Sequence, residues 1–253
     1  MMKITDHTNP RVRIIENFID TETCKKIVDY VNANKLWSLA NADMHQFESE
    51  EFFKVFSKQW DDRKLDLNDI VSDHSNEKLV KIVWEIKESA KLQVEDFFDR
   101  KNEKVFLECW EIVRWFYPYQ QAPHIDYLEP NFNRATDLPE DFNESVLPEG
   151  TEDIYLAHNT TKHFTSMLYL NEDFEGGELY FPQSNNFTIK PKAGMLVIFS
   201  GHLGNPHGVT QITDGTRYVH TSFWSRTSAN GYYITEMIEH GCLEKYWEKN
   251  ENN

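Results

Sequence analysis

Cysteine is scarce in this 253-residue sequence, and no long apolar run is present. The three cysteines, Cys24, Cys109 and Cys242, are odd in number, lie far apart and form no CxxC pair, so we expect buried, reduced thiols rather than a disulfide framework. No apolar stretch approaches the ~20 residues that cross a bilayer. Residues 1–13 also lack the apolar centre of a secretion signal. We therefore expect a cytoplasmic protein with no membrane partner.

Positive charge is scarce as well. The chain has 26 lysines and arginines against 42 aspartates and glutamates, which gives a formal net charge of -16. Because nucleic-acid phosphates require a basic surface, this balance argues against a nucleic-acid partner. Basic peptides, cations and neutral metabolites remain compatible partners.

The first hundred residues predict a short strand and two helices. Residues 11–20 have the pattern of a strand, and Asp20 is placed to cap a helix over TETCKKIVDYVNAN. After a polar, poorly patterned stretch at 35–75, apolar residues recur at helical spacing and predict a second helix that packs on a sheet. These residues are Leu79, Val80, Val83, Ile86 and Ala90.

From residue 105 onward the sequence consists of short aromatic and β-branched segments separated by Gly, Asn, Asp and Pro. This texture is typical of a jelly-roll-like double sheet. We predict an α+β, mainly β fold in one domain over 1–253: a strand and supporting helices at 1–104, a β core at 105–229 and a helical tail at 230–253. A long acidic insert at 127–163 is predicted to be either a solvated loop or a lid over the substrate.

Candidate metal ligands begin in the segment APHIDY. His124 and Asp126 are two residues apart, so on an extended strand their side chains project from the same face. His207, in NPHGV, follows the predicted strand KAGMLVIFS after a turn that can return the chain to the same end of the sheet as His124 and Asp126. Two imidazoles and one carboxylate on one face leave the opposite positions open, which suits iron(II) that accepts both O₂ and a chelating co-substrate.

The three residues alone leave the metal and the third ligand undecided. An HxD pair is a weak signal, and His163, His202 and His220 compete with His207 for the third position. Zinc binds the same types of ligand, so a hydrolytic zinc site is an alternative interpretation.

An arginine downstream of these ligands favours the iron site. Arg217 shares a strand face with apolar neighbours in TRYVHTSFW, after Asp214 and Gly215, which have the pattern of a tight turn. An inward arginine is costly unless it meets an anion, and its planar fork suits a carboxylate. Thr165 and Tyr169 share a face of another strand, so a hydroxyl and a phenol can join Arg217 around one carboxylate.

Together these motifs resemble the iron(II)/2-oxoglutarate-dependent dioxygenase superfamily, in its prolyl 4-hydroxylase-like branch. The resemblance covers about 114–224, through VRWFYPYQQAPHIDY, SMLYLNEDFEGGELYFP, IKPKAGMLVIFS and HGVTQITDGTRYVHTSFW, in the family's order. It implies a double-stranded β-helix core of the jelly-roll, cupin-like kind, braced by the N-terminal helices.

The resemblance also implies a role for each candidate residue. The implied iron ligands are His124, Asp126 and His207. Arg217 matches the basic residue that grips the distal carboxylate of 2-oxoglutarate, and Tyr169 matches the tyrosine that shares it. Thr165 is a further candidate contact near the co-substrate.

The implied activity is oxidative hydroxylation of an unactivated C–H bond, with Fe(II), 2-oxoglutarate and O₂ as cofactors, ascorbate as an accessory reductant, and release of succinate and CO₂. A prolyl residue in a peptide or protein is the first expected substrate, and a candidate aromatic wall against its ring comprises Trp115, Tyr117, Tyr119 and Trp224. A hydroxylase of a free amino acid or small metabolite is an alternative, as is a cupin-like metal-binding module without turnover. The sequence predicts no oligomeric state.

Overall fold

A computed structural model describes residues 2–33, 64–66, 77–100, 105–127 and 162–226. Within them lie two helices, α1 (Thr21–Ala33) and α2 (Glu77–Phe97), and twelve strands. The strands are β1 (Lys3–Thr8), β2 (Arg11–Glu16), β3 (Lys64–Asp66), β4 (Phe106–Phe116), β5 (Gln121–His124), β6 (Phe164–Tyr169), β7 (Phe174–Gly176), β8 (Leu179–Phe181), β9 (Phe187–Ile189), β10 (Leu196–Ser200), β11 (His207–Val209) and β12 (Ile212–Ser225).

The strands form two antiparallel sheets. The large sheet has eight strands in the order β1-β2-β10-β6-β12-β4-β3, with β7 also paired to β12, and the small sheet has the order β5-β11-β8-β9. Strands that are distant in sequence are neighbours in both sheets, as a jelly roll requires. The mainly β, double-stranded β-helix fold predicted from the sequence is confirmed.

Strand β6, at the centre of the large sheet, shows how both faces of that sheet are covered. All six of its residues are buried. Phe164 and Leu168 join the cluster formed with the helices, whereas Met167 and Tyr169 join the cluster between the two sheets. Alternation with period two therefore gives one sheet two apolar faces, one for the helices and one for the small sheet.

Helix α2 packs on the large sheet as predicted. Its predicted apolar stripe is buried together with residues of β6, β10 and β4. The buried guanidinium of Arg13, on β2, forms ion pairs with Asp6 at 2.7 Å and with Asp96, near the end of α2, at 2.8 Å. These contacts hold β1, β2 and α2 together at one end of the sheet.

Helix α1 begins at the capping residue that the sequence predicts. The carboxylate of Asp20 accepts hydrogen bonds from the Thr23 amide at 2.7 Å and from the Thr23 hydroxyl at 2.9 Å, which satisfies a donor that has no partner within the helix. The buried Cys24 lies on the inner face of α1. Burial raises the pKa of its thiol to about 11, so the thiol stays protonated.

Three local features differ from the sequence-based prediction or extend it. Strand β1 is mostly exposed, so its sequence carries no apolar pattern, and β3 lies within the stretch that has no clear pattern. Asp214 and Gly215 lie inside β12 rather than in a turn before it, where the chain pairs with β7, and Gly215 has a φ of 74°.

Two predicted segments fall largely outside the described residues. They are the acidic insert, of which 128–161 are not described, and the helical tail at 230–253. Among the described helices, none has the length and apolar character needed to span a bilayer.

Candidate metal centre

The three predicted metal ligands converge at the edge of the small sheet. His124 ends β5 and lies directly opposite His207, which begins β11. Asp126 follows two residues later, and its amide donates to the Gly201 carbonyl oxygen at 3.0 Å. One potential ligand atom from each of the three side chains lies within 4.8 Å of the others. Pairing of β5 with β11 thus brings together residues that are about eighty positions apart in the sequence.

Backbone carbonyls set the tautomer of both histidines. The Nδ1 atom of His124 lies 3.1 Å from the Ala122 oxygen, and Nδ1 of His207 lies 3.2 Å from the Asn205 oxygen. A carbonyl only accepts a hydrogen bond, so both Nδ1 atoms carry the proton and both Nε2 atoms present lone pairs. A second contact of this kind is typical of metal-binding histidines.

The carboxylate of Asp126 lies between the two imidazoles. Its oxygens are each 3.5 Å from an Nε2 atom, one of His124 and the other of His207. The buried hydroxyl of Thr165 donates to the oxygen on the His207 side at 2.5 Å. Burial opposes ionisation, but the histidines and this hydrogen bond outweigh it and hold the pKa of Asp126 below its usual range. The carboxylate is therefore charged and oriented, as a metal ligand must be.

His207 is buried against aromatic rings. Its ring centroid is 4.4 Å from that of Phe199, and only 4% of the residue is exposed. Burial lowers the pKa of His207 to about 4, so the imidazole is neutral near pH 7 and available to a cation.

The competing histidines lie elsewhere. His163 and His202 both contact the Tyr127 ring, with centroids 4.1 and 4.5 Å from it. His220 is buried near Trp110, and its Nε2 atom lies within hydrogen-bond distance, 3.2 Å, of the Ser222 hydroxyl. Among the described residues, only the set with His207 forms a possible three-ligand metal group.

Arg217, on β12 of the large sheet, is fully buried with no acceptor for its charge among the described residues. The residue is 0% exposed, and none of its three guanidinium nitrogens has a hydrogen-bond partner among the described residues. The guanidinium lies between the rings of Trp115 and Tyr169, 5.4 and 5.0 Å from their centroids. Gly177 leaves room for it, since a Cβ there would lie 3.0 Å from Arg217 Cδ.

Tyr169 is the polar neighbour of this arginine. Its hydroxyl is buried and also has no hydrogen-bond partner among the described residues. Burial raises the pKa of Tyr169 and lowers the pKa of Arg217, and in each case the other group opposes the shift. Unsatisfied buried donors are costly, so the pair indicates a site for an anionic oxygen acceptor. The distal carboxylate of 2-oxoglutarate fits it, because the arginine fork matches a carboxylate.

Sequence reasoning missed two residues of this region and misplaced one. Asn205 fixes the turn before His207, since its amide donates to the oxygens of Arg11 and Ser200. Phe223, on β12, lies opposite Thr165 of the paired strand β6 and is half-buried. Trp224, a predicted wall for a proline ring, is instead fully buried on the helix side, where its indole donates to Ser166.

The remaining residues of the predicted aromatic wall are also divided. Trp115 and Tyr119 are buried between the sheets, whereas Tyr117 is 64% exposed. The strand period accounts for the error at Trp224: residues 217, 219, 221 and 223 share the inner face, and 224 points the other way.

A double-stranded β-helix with a facial His–Asp–His group and a buried arginine defines a class of iron oxygenases. The comparisons with known proteins agree with this class. Residues 115–233 match the model of the 2OG-Fe(II) oxygenase superfamily. The predicted resemblance to this superfamily is confirmed; its members use Fe(II), 2-oxoglutarate and O₂, and the triad described above fits iron.

Relatives with curated names point to prolyl hydroxylases. Prolyl 3-hydroxylase 3 of Homo sapiens is 44% identical over 62 residues, which is 23% of this chain and 8% of that protein. Prolyl 3-hydroxylase 2 of Homo sapiens is 30% identical over 144 residues, 55% of this chain and 19% of that protein. The chain therefore matches only a small part of these much longer relatives.

A solved structure shares the fold. It is the prolyl hydroxylase of Trichoplax adhaerens in complex with a hypoxia inducible factor oxygen degradation domain peptide fragment, with a TM-score of 0.54 and 14% identity. The superposition covers 89% of this chain and 88% of that chain. The structural likeness extends well beyond the segment that the superfamily model matches.

Proposed function

We propose that this protein is a 2-oxoglutarate- and Fe(II)-dependent dioxygenase that hydroxylates a prolyl residue in a peptide or protein. One observation carries the proposal: the same fold holds both a three-ligand metal group and a fully buried arginine that has no acceptor among the described residues. A hydrolytic zinc site or a cupin-like metal-binding module without turnover needs the metal ligands but has no use for the buried arginine.

The ligand assignments follow from the geometry. His124, Asp126 and His207 would hold iron, while Arg217 and Tyr169 would bind the distal carboxylate of 2-oxoglutarate. When bound, iron and 2-oxoglutarate would supply the oxidising chemistry: one oxygen atom of O₂ would enter succinate as CO₂ is lost, and the other would enter the hydroxylated product.

The chain's own residues orient the reactants and exclude water. Thr165 uses its hydroxyl to hold Asp126, which favours a positioning role over a direct contact with the co-substrate. The rings of Phe199 and Phe181 pack around His207, with centroids 4.4 and 6.1 Å away. This apolar wall keeps the metal end of the site dry and strengthens the electrostatic contacts there.

Two observations support a prolyl substrate. Phe223 presents a half-buried ring next to Thr165, and the Lys162 ammonium lies 3.9 Å from its centroid. A flat apolar ring next to the residue that holds Asp126 suits a proline ring. In addition, the relatives described above are named prolyl hydroxylases. The two human relatives are prolyl 3-hydroxylases, so the hydroxylated carbon, C3 or C4, has to be read from the product.

Succinate formation tests the proposal. Purified protein with Fe(II), 2-oxoglutarate and O₂ is assayed with proline-containing peptides, with the same peptides carrying alanine for proline, and with free proline. We expect succinate and a peptide 16 Da heavier, only when peptidyl proline is present. Turnover with free proline alone would favour the small-metabolite alternative, and absence of 2-oxoglutarate binding to the metal-loaded protein would overturn the proposal.

We also propose ascorbate as the accessory reductant and the cytoplasm as the site of action. The paucity of cysteine supports the location, and the formal net charge of -16 supports a partner other than nucleic acid. Omission of ascorbate should shorten the linear phase of succinate formation, which a time course measures directly.

A further inference from the structure

Strand β5 carries an irregularity beside the metal centre. His207 is opposite His124 and Val209 is opposite Gln121, so three steps along β5 face only two steps along β11. This extra residue is a β-bulge, a feature that re-aims side chains and is common near active sites. On a regular strand, residues 121 and 124 would point to opposite faces.

The bulge brings the Gln121 side chain onto the metal-binding atom of His124. Gln121 Nε2 lies 3.1 Å from His124 Nε2. Because His124 Nδ1 donates to the Ala122 oxygen, Nε2 carries the lone pair and the amide must be the donor. The Gln121 amide thus occupies the direction in which a metal would bind, since a metal–nitrogen bond is about 2.0–2.1 Å long.

A metal at this nitrogen would displace the Gln121 amide without moving the Gln121 backbone. The Gln121 backbone stays fixed by pairing with β11, and its carbonyl oxygen is packed so closely that a Cβ at Gly208 would lie 2.7 Å from it. The displaced amide would remain near His124 and would need a new acceptor. On the proposed function Arg217 and Tyr169 would hold the far end of 2-oxoglutarate, so the keto-acid end would be the acceptor nearest to the amide.

We propose that Gln121 is a positioning residue whose amide occupies Nε2 of His124 in the metal-free protein and donates to the keto-acid end of 2-oxoglutarate in the loaded protein. The inference rests on the proposed function. It predicts effects of opposite sign in one variant, because the same amide competes with the metal and assists the co-substrate.

Binding measurements on Gln121→Leu test the inference without turnover. Mn²⁺ is titrated into the metal-free protein, and 2-oxoglutarate is then titrated into the Mn²⁺-loaded protein. We expect Mn²⁺ to bind about two- to tenfold more tightly, because a competing hydrogen bond is gone, and 2-oxoglutarate to bind about tenfold more weakly. Gln120→Leu, at the exposed neighbouring position, is the matched control and should change neither affinity.

Each outcome has one meaning. Opposite shifts in Gln121→Leu and none in Gln120→Leu support the inference. Weaker binding of both metal and co-substrate would indicate damage to the bulge, and unchanged 2-oxoglutarate affinity would show that Gln121 does not reach it; either result overturns the inference. If the wild-type Mn²⁺-loaded protein fails to bind 2-oxoglutarate, the proposed function itself is wrong.

Discussion

At the scale of single residues, replacing Arg217 distinguishes two possible roles for its charge: binding of a co-substrate carboxylate and formation of a structural ion pair. Replacement by methionine removes a buried cation that has no acceptor among the described residues. We predict that Arg217→Met keeps or raises the free energy of unfolding, because an unpaired buried charge is costly. Its 2-oxoglutarate affinity should fall by roughly a hundredfold or more, since two charge-assisted hydrogen bonds are lost.

Chemical unfolding and isothermal titration of the metal-loaded variant measure these two effects. If Arg217→Met were destabilised by about 3–5 kcal/mol, as expected for a broken buried ion pair, and bound 2-oxoglutarate normally, the arginine would be structural. Arg114, on the neighbouring strand and half-buried, offers a comparison for loss of an arginine from the same sheet.

Thr165 gives a second test at this scale. Its hydroxyl donates to Asp126, and Thr165→Val removes that donor with little change of shape. We expect metal affinity to fall by about tenfold or more, as for other partners of metal ligands, with 2-oxoglutarate affinity for the saturated metal site almost unchanged. Metal and co-substrate titrations distinguish the two roles: a loss confined to 2-oxoglutarate binding would make Thr165 a co-substrate contact.

At the scale of elements, the loop after β10 sets the position of Asp126. A Cβ at Gly201 would lie 2.6 Å from the Lys162 oxygen and 2.8 Å from Asp126 Cβ, whereas a Cβ at Gly204 meets nothing within 4 Å. We therefore predict that Gly201→Ala displaces Asp126 and weakens metal binding by about tenfold or more. Gly204→Ala, in the same loop, should bind metal like the wild type. Equal metal affinities for the two variants would show that this loop does not position the ligand.

Strand β12 contains a titratable group that should make the fold sensitive to acid. Burial lowers the pKa of His220 to about 4, below its ordinary value of about 6.5. Protonation therefore favours the unfolded chain, and the stability that His220 contributes is complete above about pH 6.5 and is lost as the pH falls toward about 4.

The size of this effect can be measured by urea unfolding at several pH values. Between about pH 6.5 and 4 the free energy of unfolding should fall by on the order of 2–3 kcal/mol more in the wild type than in His220→Gln. Both proteins share the titration of His207, so the difference isolates His220. Parallel pH curves for the two proteins would contradict a neutral, buried His220.

The faces of the helices and strands could be predicted from the sequence wherever apolar residues recur with a regular helical or strand period. The apolar stripe of α2 and the alternation in β6 follow simple periods, and both predictions are confirmed. His124 and Asp126 obey the same period, so their shared face was predictable. Gln121 was not, because a bulge breaks the period and leaves no local signal in the sequence. The exposed strand β1 had no apolar pattern to reveal it.

At the scale of the whole molecule, the site depends on two covered faces of one sheet. The helices bury the outer face of the large sheet, and the small sheet closes over its inner face, where Tyr169 and Val197 are buried. His207 and His124 come from the small sheet, while Arg217 comes from the large one. The predicted metal-binding histidines and the predicted carboxylate-binding arginine therefore belong to different sheets, and only the three-dimensional fold reveals this arrangement.

This division predicts how ligands should stabilise the protein. On the proposed function, a metal alone would bridge residues of β5 and β11, whereas 2-oxoglutarate held by the metal and by Arg217 would link the two sheets. By mass action, each ligand that binds only the folded state raises its stability. Thermal unfolding should show a rise with Mn²⁺, a further rise with 2-oxoglutarate only when Mn²⁺ is present, and neither rise in His207→Ala. A rise with 2-oxoglutarate in the absence of metal would contradict the shared site.

The most direct test of the central claim is an anaerobic titration of 2-oxoglutarate into the Fe(II)-loaded protein, followed by visible absorption. Chelation of Fe(II) by a keto acid produces a charge-transfer band. The wild type, loaded with one equivalent of Fe(II), should therefore develop a band that saturates as 2-oxoglutarate is added. Asp126→Ala should show none, and Arg217→Met should reach the same band only at far higher 2-oxoglutarate concentrations. A wild-type protein that binds iron but develops no band would contradict the assignment of this site to iron and 2-oxoglutarate.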